Sequence, residues 1–192
     1  ITGMDWDNDL TPWKAKGVPS GSADFKGLAP QFLSFLKERL IPEIEKELNV
    51  SSGVERTLAG VSLSDSLFMA MDGIDLFKNI ISLSGSFWYE GFLDWIKGID
   101  VPPKTGRAYF LLGNKEALSP VPQFRDVRVN TDEIVKYLAA KGIRDIFEID
   151  RETIINMPFL DLTGRLHGCS GRHDKKHSDL MKRPLNNKAM FL

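Results

Sequence analysis

Cysteine is nearly absent from this sequence, since Cys169 is the single one among 192 residues. A lone cysteine excludes a disulfide within the chain and favours a reducing compartment, so we expect a cytoplasmic protein. Apolar runs are far shorter than the roughly 20 residues that span a bilayer, and no stretch resembles a secretory signal. With a net charge of −1, no general attraction to nucleic acid or to an anionic membrane is expected.

Motifs that bind phosphate or metal are missing as well. Neither Gly-x-Gly-x-x-Gly nor Gly-x-x-x-x-Gly-Lys-Ser/Thr occurs, which argues against a nucleotide-binding α/β protein. No basic and aromatic strip indicates nucleic-acid binding. The segment "HGCSGRHDKKH" holds the cysteine and all three histidines, but its spacing matches no zinc motif. We therefore expect no metal and no other cofactor.

Helical and strand patterns alternate along the chain. Apolar residues recur at helical spacing over residues 28–48, where Pro42 predicts a kink or a split of the helix. Helices are also predicted for "LSDSLFMAMDG" and for "NTDEIVKYLAAKGI", the second with Asn130 or Thr131 as its N-cap and Gly142 at its end. Short apolar runs predict strands at "RTLAG", "NIISLSGS", "RAYFLLG" and "DIFEID". This alternation indicates an α/β fold with a mostly parallel sheet and helices on both faces.

A serine stands where the first predicted strand turns into a helix. The stretch "GVSLS" places Ser62 between Gly60 and Ser64, one residue away from the Gly-x-Ser-x-Gly pattern of serine hydrolases. A tight strand-to-helix turn needs small flanking residues, and a helix N-terminus favours negative charge developing on the serine oxygen. A pattern this short also occurs by chance. It fits a nucleophile and an ordinary helix-capping serine about equally well.

Longer segments resemble the esterase D and enterochelin-esterase-like branch of the α/β-hydrolases. The segments are "VERTLAGVSLSDSLFMAM" with its serine, "DWDNDLTPW" with Asp-Leu-Thr-Pro, "SGSFWYEGFLDW" with Ser-x-Ser-x-Trp, and "YFLLGNKE" with Gly-x-x-Glu. They cover roughly residues 3–150 in the order of that family. The resemblance implies the C-terminal part of an α/β-hydrolase fold, with ester hydrolysis through an acyl-enzyme and without a cofactor.

The resemblance also implies roles for single residues. Ser62 is the expected nucleophile, and the N–H of Leu63 is one expected oxyanion donor. Glu116 stands at the position of the acid that orients the catalytic histidine. Trp13 and Trp88 follow predicted strand ends, where α/β sheets bind ligands, and are candidates for the substrate pocket or for the aromatic core.

The substrate stays open between an acyl ester, a sugar ester and a siderophore lactone. A catecholate siderophore would favour a basic pocket, for which Lys14, Lys16 and Arg125 are weak candidates. The chain begins at Ile1 without the strands that precede the Asp-Leu-Thr-Pro segment in the family. We therefore expect an N-terminally incomplete domain, whose open sheet would be covered by a missing segment or by a second copy in a homo-oligomer.

The resemblance ends near Arg151, where the composition also changes. Residues 151–192 hold eight Lys or Arg against four Asp or Glu, a net +4, whereas residues 1–150 carry −5. If the codons after Arg151 are read one nucleotide earlier, they can encode Gly-Asn-His and, later, Trp-Leu, which are both family signatures. We therefore hypothesise a frameshift that leaves residues 151–192 as a poorly ordered basic tail behind a partial hydrolase domain at 1–150.

In the shifted frame, the family's histidine would be encoded where Ile154 stands. The alternative is a genuine tail in which His167 serves as the base. The sequence thus predicts a serine ester hydrolase of weak or absent activity. The competing interpretation is a non-catalytic fragment or remnant with a binding role.

Overall fold

The structure is a computed structural model that describes residues 3–51, 53–63, 66–73, 76–100, 106–151 and 189–191. Its helices are α1 (Trp6–Asp9), α2 (Ala29–Phe35), α3 (Ile41–Glu47), α4 (Ser66–Asp72), α5 (Phe92–Gly98) and α6 (Val127–Ala140). Its strands are β1 (Thr57–Val61), β2 (Asn79–Leu83), β3 (Arg107–Gly113), β4 (Arg144–Arg151) and β5 (Ala189–Phe191). Short 3₁₀ segments at Glu116–Leu118 and Pro122–Asp126 connect β3 to α6.

The five strands form one parallel sheet in the order β4-β3-β2-β1-β5. Helices α4, α5 and α6 lie between consecutive strands, so the predicted α/β fold is confirmed. Parallel strands place their carboxyl ends at one edge, which brings the residues after β1, β2 and β3 together. The free side of β1 is paired with β5 along Thr57–Ala59. The predicted tail lies outside the described residues between 152 and 188.

Burial of the strands explains why their sequences are apolar. Leu58 of β1, Ile80 of β2 and Ala108 of β3 are opposite one another in register and are at most 1% exposed. They belong to a core that also contains Ile134 and Leu138 of α6. Apolar side chains of this kind contribute about 1.5–3 kcal/mol each when fully buried. Hydrophobic burial therefore holds the sheet against its helices.

The predicted helix over residues 28–48 is present, but its irregularity precedes Pro42. Residues Leu36–Leu40 form a π-helical turn between α2 and α3. Pro42 has no N–H to donate to the carbonyl of Glu38, and its ring crowds that carbonyl. A wider turn just before a proline relieves this crowding. The chain thus continues as a helix on both sides of the π turn.

Helix α6 begins earlier than the sequence predicts. The N-cap is Asp126, which is the last residue of the preceding 3₁₀ turn, so the prediction of Asn130 or Thr131 is wrong. Both side chains are used otherwise: Asn130 donates to the carbonyl of Phe87 over 2.7 Å, and Thr131 donates to the carbonyl of Val127 over 2.7 Å. The predicted end is confirmed, because Gly142 follows the helix with φ +86°.

A buried tyrosine helps to hold the N-terminal segment on the domain. Tyr89 is 3% exposed and its hydroxyl donates to the carbonyl of Trp13 over 2.5 Å. Burial, and to a lesser extent the nearby Glu90 carboxylate, raises the pKa of Tyr89 to about 12. The folded state therefore resists ionisation of this phenol, whereas the unfolded chain ionises near pH 10.

We predict that Tyr89 makes stability fall at alkaline pH. Its contribution is complete below about pH 10 and is lost as the pH rises toward 12, because only the unfolded state releases the proton in that interval. Between pH 9 and 11, Tyr89→Phe should lose about 1 kcal/mol less stability than the wild type, measured by urea unfolding. Tyr137→Phe, which removes a similar 2.8 Å bond to the carbonyl of Ile99, is the control. Parallel losses in wild type and Tyr89→Phe would contradict the assignment.

Candidate active site

Ser62 occupies a strained turn at the carboxyl end of β1. Its φ is +54°, a left-handed conformation that costs a residue with a Cβ roughly 1–2 kcal/mol. The Ser62 N–H donates to the carbonyl of Leu83 over 3.0 Å, and the Ser62 carbonyl accepts from the N–H of Ser86 over 3.2 Å. Both bonds lead to β2 and the loop after it. The neighbouring strand therefore stabilises the strained turn and leaves the serine exposed at the sheet edge.

The loop after β2 repeats this arrangement one strand further along. Ser84 has φ +50°, and its N–H donates to the carbonyl of Leu111 in β3 over 2.7 Å. Its hydroxyl donates to Glu116 Oε1 over 2.7 Å. Two strained serines thus follow adjacent strands, each with its N–H bonded to the next strand of the sheet.

Glu116 joins the loop after β2 to the turn after β3. Its Oε1 atom accepts from both the Ser84 hydroxyl and the Gly113 N–H, the latter over 2.8 Å. The carboxylate is half-buried. Among the described residues, no donor bonds to its second oxygen. In this structure Glu116 fixes two loops of the site edge.

Ser62 borders a cavity of about 280 Å³ at the sheet edge. Leu63 and Trp88 line it too, and the ring of Trp88 packs on that of Phe124 with centroids 4.5 Å apart. Its remaining lining comes from the N-terminal segment: Asp7, Asn8, Val18, Ser22, Ala23, Asp24 and Phe25. A second cavity of about 590 Å³ shares Trp88 and several of these residues. The serine therefore opens into a space with aromatic and polar walls.

Trp13 takes a different place from Trp88. Its indole N–H donates to the carbonyl of Glu90 over 2.8 Å. Its ring packs against Phe92 with centroids 6.1 Å apart and against Trp95 with centroids 5.9 Å apart. Neither of the two cavities at Ser62 and Trp88 includes it in its lining. The structure therefore brings Ser62, Leu63 and Trp88 together and places Trp13 in an aromatic cluster beside them.

The walls of the two cavities carry more carboxylates than basic groups. Asp7, Asp24, Glu90 and Asp126 contribute carboxylates. Among the described residues that line the cavities, Lys16 is the one Lys or Arg, and it forms a 2.8 Å ion pair with Asp24. The hydrogen bond from Lys16, followed by that from the Gly17 N–H, lowers the pKa of Asp24. The lining therefore offers no surplus positive charge for an anionic ligand.

The other basic candidates are not part of these walls. Arg125 is exposed and its Nε donates to the carbonyl of Ser119 over 2.9 Å. Lys14 is exposed and lies outside the two linings. His167, the fallback base, lies outside the described residues, as do the other two histidines. In the described residues, no group of three or more His, Cys, Asp or Glu side chains could hold a metal ion.

Two serines at the site are not among the site residues predicted from the sequence. Ser86 is 2% exposed and its Oγ lies 3.4 Å from that of Ser62, while Ser84 binds Glu116. The available signal was the tripeptide "SGS" directly after a predicted strand. A polar cluster at a strand end is a usual sign of a site edge in a parallel sheet.

Comparison with known proteins gives a family for this arrangement. The profile of the Esterase family, described as "Putative esterase", matches residues 6–117. The chain belongs to this family. The match includes Ser62, Trp88 and Glu116, so the candidate site lies within the part shared with the family.

A curated relative and several solved structures are also similar to this chain. The chain is 29% identical over 141 residues to "Uncharacterized protein YbbA" of Bacillus subtilis, covering 72% of this chain and 56% of that protein. The fold is similar to a siderophore hydrolase, EstB of Aspergillus nidulans, at a TM-score of 0.57 and 20% identity over 76% of this chain and 57% of that one. It is also similar to an IroE-like serine hydrolase of Shewanella oneidensis. The TM-score is 0.58 and the identity is 18%, and the match covers 78% of this chain and 50% of that one.

These comparisons also bear on how much of a relative the chain represents. It spans little more than half the length of the curated relative that it matches. Identities near 20% to the solved structures support a similarity of fold alone.

Among the described residues, no helix is long and apolar enough to cross a membrane.

We predict that Glu116 stabilises the site edge. Glu116→Ala leaves the Gly113 N–H and the Ser84 hydroxyl without their acceptor and should lower the free energy of unfolding by about 1–3 kcal/mol. Glu116→Gln keeps a carbonyl oxygen that can accept from one or both donors, so it should cost clearly less. Urea unfolding of both variants is the measurement. A Glu116→Ala variant as stable as the wild type would contradict this role of the two hydrogen bonds.

Proposed function

We propose that this chain is built as a serine ester hydrolase with Ser62 as its nucleophile. The observation that carries the proposal is the strained conformation of Ser62, at a strand-to-helix turn that opens into a cavity. Nucleophilic serines of α/β-hydrolases occupy such a turn because it exposes the hydroxyl at the top of the sheet. Membership of the Esterase family supports the same reaction.

The reaction would proceed through an acyl-enzyme. Ser62 Oγ attacks the ester carbonyl carbon while a base removes the hydroxyl proton, and a tetrahedral intermediate forms. The N–H of Leu63, the residue after the nucleophile, is proposed as a donor to the negatively charged oxygen. Expulsion of the alcohol leaves the acyl group on Ser62, and water then releases it. No metal or organic cofactor enters this sequence.

Glu116 is proposed to orient the base. One of its oxygens is held by Ser84 and Gly113, which fixes the direction of the carboxylate. The other oxygen could accept from a histidine and stabilise its protonated form. The carboxylate would then serve the fold through one oxygen and the reaction through the other.

The base itself decides how active this chain is. The sequence after Arg151 lacks the Gly-Asn-His that the resemblance leads one to expect there, and loss of a triad member removes most of the rate of such enzymes. We therefore propose weak or absent turnover, with His167 as the fallback base. The non-catalytic alternative, a chain that binds esters without cleaving them, is favoured by the same observation.

The frameshift hypothesis has its own test in the nucleotide sequence. We expect the codons from Ile149 to Ser170, read in the shifted frame, to encode Gly-Asn-His and then Trp-Leu. That result would explain the missing base as a lost reading frame. Any other sequence in that frame would make the tail genuine and His167 the first residue to mutate.

The cavity favours an uncharged ester as the small-molecule substrate. Its aromatic wall of Trp88 and Phe124 suits an apolar acyl or alcohol group, whereas its carboxylates would repel an anionic one such as a catecholate. Simple acyl esters and sugar esters fit this environment better than an anionic siderophore lactone does. The cytoplasmic location stays a prediction from the single cysteine.

We predict that a fluorophosphonate with an uncharged alkyl chain labels Ser62. Intact-mass analysis should show one adduct in the wild type, and Ser62→Ala should abolish it because the attacking oxygen is gone. Ser22→Ala, which removes another hydroxyl from the cavity wall, is the matched control and should leave labelling unchanged. His167→Ala should slow labelling at least tenfold if this histidine is the base.

Different outcomes separate the two functions. Labelling that persists in Ser62→Ala would overturn the assignment of the nucleophile. An unlabelled wild type that still binds an uncharged, unreactive dialkyl phosphonate with the same alkyl chain by calorimetry would favour the non-catalytic chain. An unlabelled wild type without binding would exclude both proposals for this cavity.

A further inference from the structure

Ser86 is the buried group that lies against the proposed nucleophile. Its side-chain oxygen is 3.4 Å from Ser62 Oγ, and the residue is 2% exposed. A buried hydroxyl needs a hydrogen-bond partner, and among the described residues the Ser86 hydroxyl has Ser62 Oγ as its side-chain partner. The acyl-enzyme scheme above does not use this contact.

The position of Ser86 is fixed from several directions. Its N–H donates to the carbonyl of Ser62 over 3.2 Å, and its own carbonyl accepts from the N–H of Tyr89 over 2.8 Å. The residue before it has no room for a side chain, because a Cβ on Gly85 would lie 2.6 Å from Ser82 Oγ and 2.7 Å from the ring of Phe87. The Ser86 hydroxyl is therefore presented to Ser62 by a closely packed loop.

The Glu116 carboxylate fixes the start of the same loop. It accepts from the hydroxyl of Ser84, two residues before Ser86. The Ser84 N–H is at the same time bonded to Leu111 of β3. Strand β3 thus supports the loop, and the loop supports the turn that contains Ser62.

We propose that Ser86 is a positioning residue for the nucleophile, resting on the proposed function of Ser62. Before the reaction it holds the Ser62 hydroxyl toward the loop. As the base takes the Ser62 proton and the bond to the ester carbon forms, the Ser86 hydroxyl donates to Ser62 Oγ and keeps its own proton. The 3.4 Å contact is long for a neutral hydroxyl pair, and it should shorten as the acceptor gains charge, since charge-assisted O–H bonds are about 2.5–2.7 Å long.

The experiment detects the hydrogen bond between residues 62 and 86 and requires neither a base nor a substrate. Ser62→Cys is made in a Cys169→Ser background, so that the introduced thiol is the only one in the chain. Its pKa is measured from the pH dependence of alkylation by iodoacetamide. A hydroxyl that donates to the sulfur stabilises the thiolate and lowers its pKa.

We expect Ser86→Ala to raise the pKa of the introduced thiol by about 0.5–1 unit, a three- to tenfold smaller thiolate fraction below that pKa. Ser86→Thr, which keeps the hydroxyl, should restore the lower value if the fold accepts the added methyl group. Ser84→Ala is the matched comparison, since its hydroxyl faces Glu116 and not Ser62; it acts on the thiol only through the loop and should raise the pKa clearly less than Ser86→Ala does. Circular dichroism and urea midpoints confirm that each variant is folded.

An unchanged pKa in folded Ser86→Ala would overturn the proposal, and so would an equal rise in Ser84→Ala. If Ser86→Ala does not fold, Ser86→Gly is measured in its place with the same criteria. The proposed function fails separately, when the fluorophosphonate does not label Ser62. The thiol pKa still reports on Ser86 in that case, so the two failures can be told apart.

Discussion

The left-handed turn at Ser62 is the constraint on which the rest of the site depends. A serine at φ +54° is unfavourable by itself, and it persists because hydrogen bonds to Leu83 and Ser86 hold the turn on both sides. Those partners are in turn placed by β2, whose register with β1 and β3 is set by buried apolar residues. The hydrophobic core therefore supports the strain that exposes one hydroxyl at the sheet edge.

The same support extends along the carboxyl edge of the sheet. Glu116 connects the turn after β3 to Ser84, and the loop that begins there reaches Ser86 and Ser62. The carboxylate that we propose to orient the base thus also has a structural task in this chain. This double use ties the stability of the site edge to the chemistry proposed for it.

Local sequence patterns predicted most of the sheet and its connections. The apolar run "RAYFLLG" coincides with β3, because a strand buried among its neighbours is apolar along its length. The start of α6 could not be predicted in this way, since Asn130 and Thr131 have good capping side chains that tertiary contacts use elsewhere. The π turn before Pro42 depends on how a helix relieves crowding, which hydrophobic periodicity does not encode.

In the site, too, some residues could be predicted from the sequence and others could not. Ser62, Leu63 and Trp88 could be named from a motif and a resemblance, and the structure places them at one cavity. The roles of Ser84 and Ser86 depend on loops that meet only when β1, β2 and β3 are side by side. Trp13 is likewise part of a segment that resembles the family, yet its hydrogen bond to the Glu90 carbonyl holds it in the aromatic cluster. Contacts between distant segments of this kind have no local sequence signal.

The conformation of Ser62 itself is the most direct measurement of this account. A crystal structure of the uncomplexed chain would show its backbone angles and the direction of its hydroxyl. We predict φ near +54°, with the hydroxyl at the cavity and within hydrogen-bond distance of Ser86. A Ser62 with negative φ, continuous with α4 and facing away from the loop after β2, would contradict the account.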